Sequence, residues 1–417
     1  MEFCRLTKEE YRSFYDACPQ ASFMQSVQMA QMKEETGSRI HFVGVKQDEQ
    51  VVAGAMIQEE RIQLGLRRFY APRGLLVDYH DKELLAFFVE NLKRYIRKQG
   101  GLMLIIDPNV VYRVRTSEGE IIADKPTDDQ TVQNLQELGF AHHGFNTYLD
   151  AMQVRWCCRL PLDAPYEEKK AAFSKQTRKN INTCIKKGLM VREGTMEDVS
   201  VMAEIFDDTA RRRDFLCRGL DYYQRMYRHM SDLMTIYIAY LEPSAYLSHA
   251  KQLLDDAQKN YTATQEKIEK HGQTDKLERM LKEAAEQIDK YRYEVEKAET
   301  FAREYPNGKN VGCLLSLRSG REYLTFLSGV LQDYRSFNPK YLMYEHHIQE
   351  AYKEGFDYCN FYGITGDFRP ENPLYGVFEF KKGFKGNVTE YVGQFELPIG
   401  RFYPIYTLLK KIKQLGR

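Results

Sequence analysis

From Leu247 to Ala302 the chain places apolar or small residues every three or four positions. Leu247, Ala250, Leu254, Ala257, Tyr261, Thr264 and Ile268 form one run. After an interruption at "HGQTD" (271–275), Leu277, Leu281, Ala284, Ile288, Tyr291, Val295, Ala298 and Ala302 resume the same spacing. The pattern predicts two helices with continuous seams, folded back as an antiparallel coiled-coil hairpin. Each arm should reach ~35 Å at 1.5 Å per residue. Charge covers the other faces, so the arm is expected to project into solvent.

Outside the arm the pattern changes to short runs that alternate or are wholly apolar. "HFVGVK", "QVVAGAMIQ" and "RRFYAP" read as three strands, followed by a helix, "DKELLAFFVENLKRYIRKQG", and a buried strand, "LMLIID". The second half repeats the order: "TIYIAY", "VGCLLSL" and "EYLTFLSG", a helix "PKYLMYEHHIQEAYKEG", and a strand "FDYCNFYGI". Both helices end at a glycine suited to a C-cap. This order resembles an acyltransferase lobe of GNAT type, present twice. The expected fold is α/β (α+β): two GNAT-like lobes in one globular body, with an inserted coiled-coil arm. The expected boundaries are 1–150 for lobe 1, 151–245 with 304–395 for lobe 2, and 246–303 for the arm. Residues 396–417 should pack back on the body. Between the lobes lie a basic helical stretch, "FSKQTRKNINTCIKKG" (173–188), and a second helical region, "IFDDTARRRDFLCRGLDYYQRMYRHM".

Composition narrows the chemistry. A chain of 417 residues is long for one hydrophobic core. Sixty Lys and Arg against 59 Asp and Glu leave a net charge of +1, so any nucleic-acid surface must be local. The 8 cysteines include no CxxC pair, which argues against a thiolate zinc site. Charge begins at the second residue, unlike a secretory signal, and no apolar stretch approaches the ~20 residues of a membrane span. The expectation is a reduced, cytoplasmic protein that needs no metal and no cofactor.

Several motifs have simpler readings than their chemistry suggests. "QELGFA" (136–141) fits the Q-x-x-G-x-A loop that holds the pyrophosphate of an acyl-CoA. Such a loop must open a helix, whereas here it follows one, so Gly139 is expected as a C-cap. "EHHIQE" (345–350) sits mid-helix, with His346 and His347 pointing in different directions. What survives is a set of cations and aromatics: Lys33, Arg218 one turn before Tyr222, and Lys175, Arg178, Lys179, Lys186 and Lys187 on or near one helix. The last group is the kind of surface that tracks a phosphate backbone, or a solvated helical face. "GVFEFKKGFKG" (376–386), read as a strand, sends Phe378 and Phe380 to one face and Glu379 and Lys381 to the other.

Taken together, these residues resemble the FemABX family of non-ribosomal peptidyl transferases, in the branches that carry a coiled-coil arm. "SFMQSVQMAQMK", "IIDPNVVY", "CRGLDYYQRM", "NFYGITGDF" and "GVFEFKKGFKGNVTEYVGQFELPI" carry the resemblance, which covers nearly the whole chain. It implies that Lys33, Arg218 and Tyr222 bind the phosphates and sugar-peptide of a cell-wall precursor. It implies that Lys381 faces the reaction centre with Phe380 beside it, near the acyl-tRNA end, and it matches Asp107 to an aspartate considered as a base. Phe326 stands where the family often has a cleft tyrosine. The basic residues 175–187 match the family's polybasic, tRNA-facing region.

The reaction so implied is attack by the stem-peptide amine of a peptidoglycan precursor on the ester of an aminoacyl-tRNA. The precursor is lipid-linked (lipid II) or a nucleotide-linked muropeptide. Further partners implied are a related transferase, as a homo- or hetero-dimer, and the inner membrane face at the periphery. The proton acceptor stays open between Asp107 and a carboxylate or phosphate of the substrate. Two other readings stand beside this one: a GNAT-type N-acyltransferase using acyl-CoA, and a non-catalytic paralogue whose arm docks a partner.

Overall fold

The computed structural model describes residues 1–62, 65–213 and 217–415. The first half runs β1 (Glu2–Arg5), α1 (Lys8–Ala17), α2 (Val27–Glu35), β2 (Arg39–Gln47), β3 (Gln50–Arg61), β4 (Arg67–Ala71), α3 (Lys82–Lys98), β5 (Gly101–Ile106), β6 (Val111–Arg115), α4 (Asp129–Glu137) and β7 (Ala141–His142). The second runs β8 (Trp156–Pro161), α5 (Tyr166–Ala172), α6 (Lys175–Lys186), β9 (Leu189–Glu193), α7 (Val199–Arg213), α8 (Leu220–Met230) and β10 (Met234–Leu241). The arm, α9 (Pro243–His271) and α10 (Asp275–Glu304), follows. The chain closes with β11 (Lys309–Ser319), β12 (Glu322–Val330), α11 (Pro339–Lys353), β13 (Tyr358–Ile364), α12 (Tyr375–Lys382), β14 (Asn387–Tyr391), β15 (Phe395–Pro398) and α13 (Tyr403–Leu415).

Two sheets form the body. One has the order β1-β2-β3-β4-β5-β15-β7 and the other β6-β14-β8-β13-β12-β11-β10-β9. In each, a meander of three strands leads through a helix into a parallel neighbour, β4 beside β5 and β12 beside β13. A parallel pair needs such a crossover, which α3 and α11 provide. Both lobes are therefore GNAT-like. α3 buries Leu85, Phe88, Val89, Leu92 and Ile96, is capped by Asp81 and stops at Gly100, whose φ is +74°. Gly355 ends α11 in the same left-handed region, at +76°.

The halves also exchange strands. β6 leaves the first half to pair with β14 in the second sheet, and β15 returns from the C-terminus to lie between β5 and β7. Nothing in the hydrophobic pattern foretold this, because strand patterning reports burial and not the partner. The arm follows its seam: Ala250, Ala257, Thr264 and Ala298 are buried, the other seam positions partly so, and the outer faces are exposed. Tyr246 and Phe301 anchor its base, their rings 5.8 Å apart, and Tyr246 meets Phe337 of the body at 5.2 Å.

One local expectation needs correction. Residues 375–382 form a helix and not a strand, so Phe378 and Lys381 share the buried face, three residues apart. Glu379 lies outside, accepting from the Tyr375 hydroxyl at 2.7 Å and pairing with Lys382 at 3.0 Å. Eight residues rich in aromatics satisfy both periods, and packing decides between them. The helical region around residues 205–230 is two helices, α7 and α8, and its middle, residues 214–216, lies outside the described residues.

The halves are tied by buried charge. Glu390 on β14 accepts from Arg155 Nη2 at 2.6 Å and from Arg115 Nε, on β6, at 2.5 Å. Neutralising that carboxylate would strand two guanidiniums. Glu390→Gln is expected to lower stability by about 3 kcal/mol or more, measured as a fall in the urea midpoint at constant m-value.

Candidate functional site

The strand pair β12–β13 opens the main cavity. Their parallel pairing covers only Glu322–Leu324 against Tyr358–Asn360, after which the strands diverge. Each carries a bulge where they part. On β12, Leu315 and Ser316 face Leu327 and Thr325, leaving Phe326 as the extra residue. On β13 the register with β8 slips between Asn360 and Gly363, and Tyr362 takes a φ of +60°. A bulge re-aims side chains and ends pairing, and here it does both. Between the parted strands lies a cavity of about 840 Å³, floored by Phe361 and Tyr362, walled by Thr325, Phe326 and Ser328, and closed by Val377, Phe380 and Lys381 of α12.

Lys381 is 6% exposed. Its ammonium donates to the carbonyl of Gly363 at 2.7 Å and to that of Tyr362 at 3.2 Å, with no carboxylate in hydrogen-bond range among the described residues. Burial lowers its pKa from 10.5 to about 8, so the charge is present at neutral pH but only just. Phe380 packs on Tyr341 and Tyr344 at 4.9 and 4.8 Å. The Thr325 hydroxyl, buried in the same wall, makes no hydrogen bond among the described residues.

A second cavity, of about 280 Å³, sits between the halves, and Lys33, Arg218, Tyr222 and Phe326 all line it. α2 brings Lys33 and the start of α8 brings Arg218 and Tyr222. The two helices are joined by Glu35, which pairs with Arg228 at 2.8 Å and His229 at 2.5 Å. Arg218 lies over the Tyr222 ring at 5.2 Å. Burial, and then the nearby Arg218 charge, lower the Lys33 pKa. Two cations held together in a part-buried recess make a site for an anion. Leu149, Val154, Phe326 and Tyr362 line both cavities, so the two meet there.

Asp107 lies behind this wall, 3% exposed, and lines neither cavity. It accepts from the Tyr70 hydroxyl at 2.7 Å and the Arg73 amide at 2.6 Å. Burial raises its pKa to about 6 against the pull of Arg73. Tyr70, whose hydroxyl also accepts from Gln153 at 3.1 Å, connects it to the second cavity.

On α6 the buried stripe is Thr177, Ile181 and Cys184. Lys175, Lys179 and Lys186 fall on the opposite, exposed face within one helical stripe. Arg178 turns back to the Ala171 carbonyl, and Lys187 lies over the Phe337 ring at 5.0 Å. Cys184 donates to the carbonyls of Phe337 and Asn338 at 3.2 and 3.3 Å, which seats the basic helix beside the rim of the larger cavity.

The other motifs are structural. Gly139, at φ +91°, ends α4. His347 is fully buried, bonded to Ser316 at 2.8 Å and stacked on Tyr323 at 4.5 Å, and burial pushes its pKa down to about 3. Among the described residues no group of three His, Cys, Asp or Glu could hold a metal ion. The residues that sequence reasoning missed are Tyr362, Gln153 and Tyr70. The signal for Tyr362 was an aromatic before glycine in "NFYGI", which a buried strand would equally show, and Gln153 and Tyr70 stand in no motif.

Known proteins share this architecture. The chain is 28% identical to aminoacyltransferase FemA of Staphylococcus epidermidis over 418 residues, spanning 99% of this chain and 100% of that protein. It is 28% identical to aminoacyltransferase FemA of Staphylococcus aureus over 417 residues, 99% of each. The crystal structure of FemX superposes with a TM-score of 0.77 at 24% identity, covering 98% of this chain and 99% of that one. Residues 6–411 match the model of the FemAB family, and the chain belongs to that family.

Proposed function

We propose that this aminoacyltransferase moves an amino acid from aminoacyl-tRNA to the stem-peptide amine of a peptidoglycan precursor, building the interpeptide branch. The observation that carries the reading is the meeting of two unlike cavities at one wall. The larger, aromatic one adjoins a stripe of exposed lysines and suits the acyl-adenosine end of a tRNA. The smaller one holds the Lys33 and Arg218 cations together and suits the phosphates of a precursor, with Tyr222 against its sugar-peptide. Phe326 and Phe380 shape the passage between them.

Aminolysis of an ester runs downhill, so the chemistry asks for alignment of the reactants and stabilisation of the developing oxyanion. Lys381 is the fixed cation at that point, and its remaining N–H is free of the two carbonyls it holds. Asp107 lies one side chain away from the cavity and acts, in this reading, by holding Tyr70. Contact with the inner membrane face is supported by Phe402, Ile405, Leu408 and Leu409, which leave an apolar surface exposed at α13. The lipid-linked precursor is the acceptor that fits this contact.

The direct test offers lipid-linked precursor and a panel of charged tRNAs. Transfer is expected, and ribonuclease added beforehand should abolish it; transfer that survives ribonuclease, or that runs on acetyl-CoA, defeats the reading. Lys381→Met is expected to lower kcat ~10²-fold or more in a folded protein. In the wild type, the charge on Lys381 is present below pH 8 and lost above it. Single-turnover rates between about pH 6.5 and 9.5 should therefore fall on the alkaline side. Replacing Lys175, Lys179 and Lys186 together by Glu should raise the KM for aminoacyl-tRNA ~10-fold or more and flatten its salt dependence, while kcat is retained.

A further inference from the structure

Two cavities for two substrates leave one place where a bond between them can form. That place is the shared wall of Leu149, Val154, Phe326 and Tyr362. Three of these present only hydrocarbon. Among the described residues of this wall, Tyr362 is the one that carries a side-chain hydrogen-bond donor.

The fold holds this residue from every side. Its amide donates to the Asn360 side chain at 2.8 Å, its carbonyl and that of Gly363 are gripped by Lys381, and its φ is +60°. Such a backbone costs free energy in a non-glycine residue and persists where its surroundings impose it. The hydroxyl lies beside the Arg73 guanidinium. It donates to Gln153 Oε1 at 3.5 Å, the long limit of a hydrogen bond. Gln153 has no freedom to improve that contact, because its amide nitrogen is committed to Tyr70 and through it to Asp107. A carbonyl oxygen arriving at the wall would offer the phenol a better acceptor. Burial raises the Tyr362 pKa to about 12, so the hydroxyl keeps its proton at neutral pH.

We propose that the Tyr362 hydroxyl is a catalytic hydrogen-bond donor to the acyl carbonyl oxygen at the point of transfer. The inference rests on the two-substrate reading given above. In the step, the amine lone pair forms the new N–C bond and the carbonyl π pair moves onto oxygen, where the phenol stabilises it without giving up its proton. Collapse restores the C=O bond and breaks the C–O bond to ribose. The ribose oxygen leaves with that electron pair and ends with the proton the amine has lost. Lys381 then acts on the reaction partly as a positioning residue, through the Tyr362 and Gly363 carbonyls, as well as by its charge.

Tyr362→Phe removes one oxygen and keeps the ring that faces Phe326 at 6.0 Å. With charged tRNA and lipid-linked precursor, kcat is expected to fall ~10²-fold, with both KM values and the melting temperature unchanged. A purely structural tyrosine would move the melting temperature and leave kcat in place. The proposal is overturned if kcat stays within about twofold of wild type, or if the whole loss lies in KM. Wild-type protein that transfers nothing from any charged tRNA would bring down the two-substrate reading itself, and this inference with it.

Discussion

Glu390 is a carboxylate buried on β14, between β6 and β8 of the second sheet, and the course of three chain segments depends on it. Arg115 reaches it from β6, the strand that crosses over from the first half, and Arg155 reaches it from the linker that leads into β8. A carboxylate taken out of water is costly to ionise, and opposite charge at hydrogen-bond distance offsets that cost. The linker is therefore held where Leu149, Gln153 and Val154 can wall both cavities. With β15 returning into the first sheet, the halves are bound by backbone pairing as well as by charge. Relative movement of the halves would break strand ladders, so the cavities meet in a fixed geometry.

The second constraint is a cation without an anion. Most buried lysines find a carboxylate, but Lys381 is satisfied by two backbone carbonyls of a bulged strand. The arrangement keeps the charge unneutralised at the cavity, which a salt bridge would not. It also holds the bulge that parts β12 from β13. Charge and shape therefore share one side chain, because the same ammonium that lines the cavity holds the backbone of the tyrosine beside it.

How much of this was legible depended on how local the signal was. The arm could be read from its seam because a helical pair needs only its own periodicity. The two strand-strand-strand-helix-strand runs could be read because each ends in a glycine that stops its helix. Lys33, Arg218 and Tyr222 were gathered by resemblance, and they do line one cavity. The stretch "GVFEFKKGFKG" was misread as a strand, since Phe378 and Lys381 share a face only if the period is helical. Tyr362 was passed over because a bulge leaves no mark in the alternation of a short apolar strand.

By itself, then, the sequence determined the elements, the duplicated order and the projecting arm, all of which follow from periodicity within a few turns of chain. It also determined the kinds of side chain available, cations and aromatics above all. The tertiary structure alone decided the exchange of β6 and β15, the bulges at Phe326 and Tyr362, and the burial of Lys381 against carbonyls. The exchange and the β13 bulge rest on contacts between segments hundreds of residues apart, while the β12 bulge and the seating of Lys381 join neighbouring elements. Such contacts are set by the packing of the whole and leave no period along the chain.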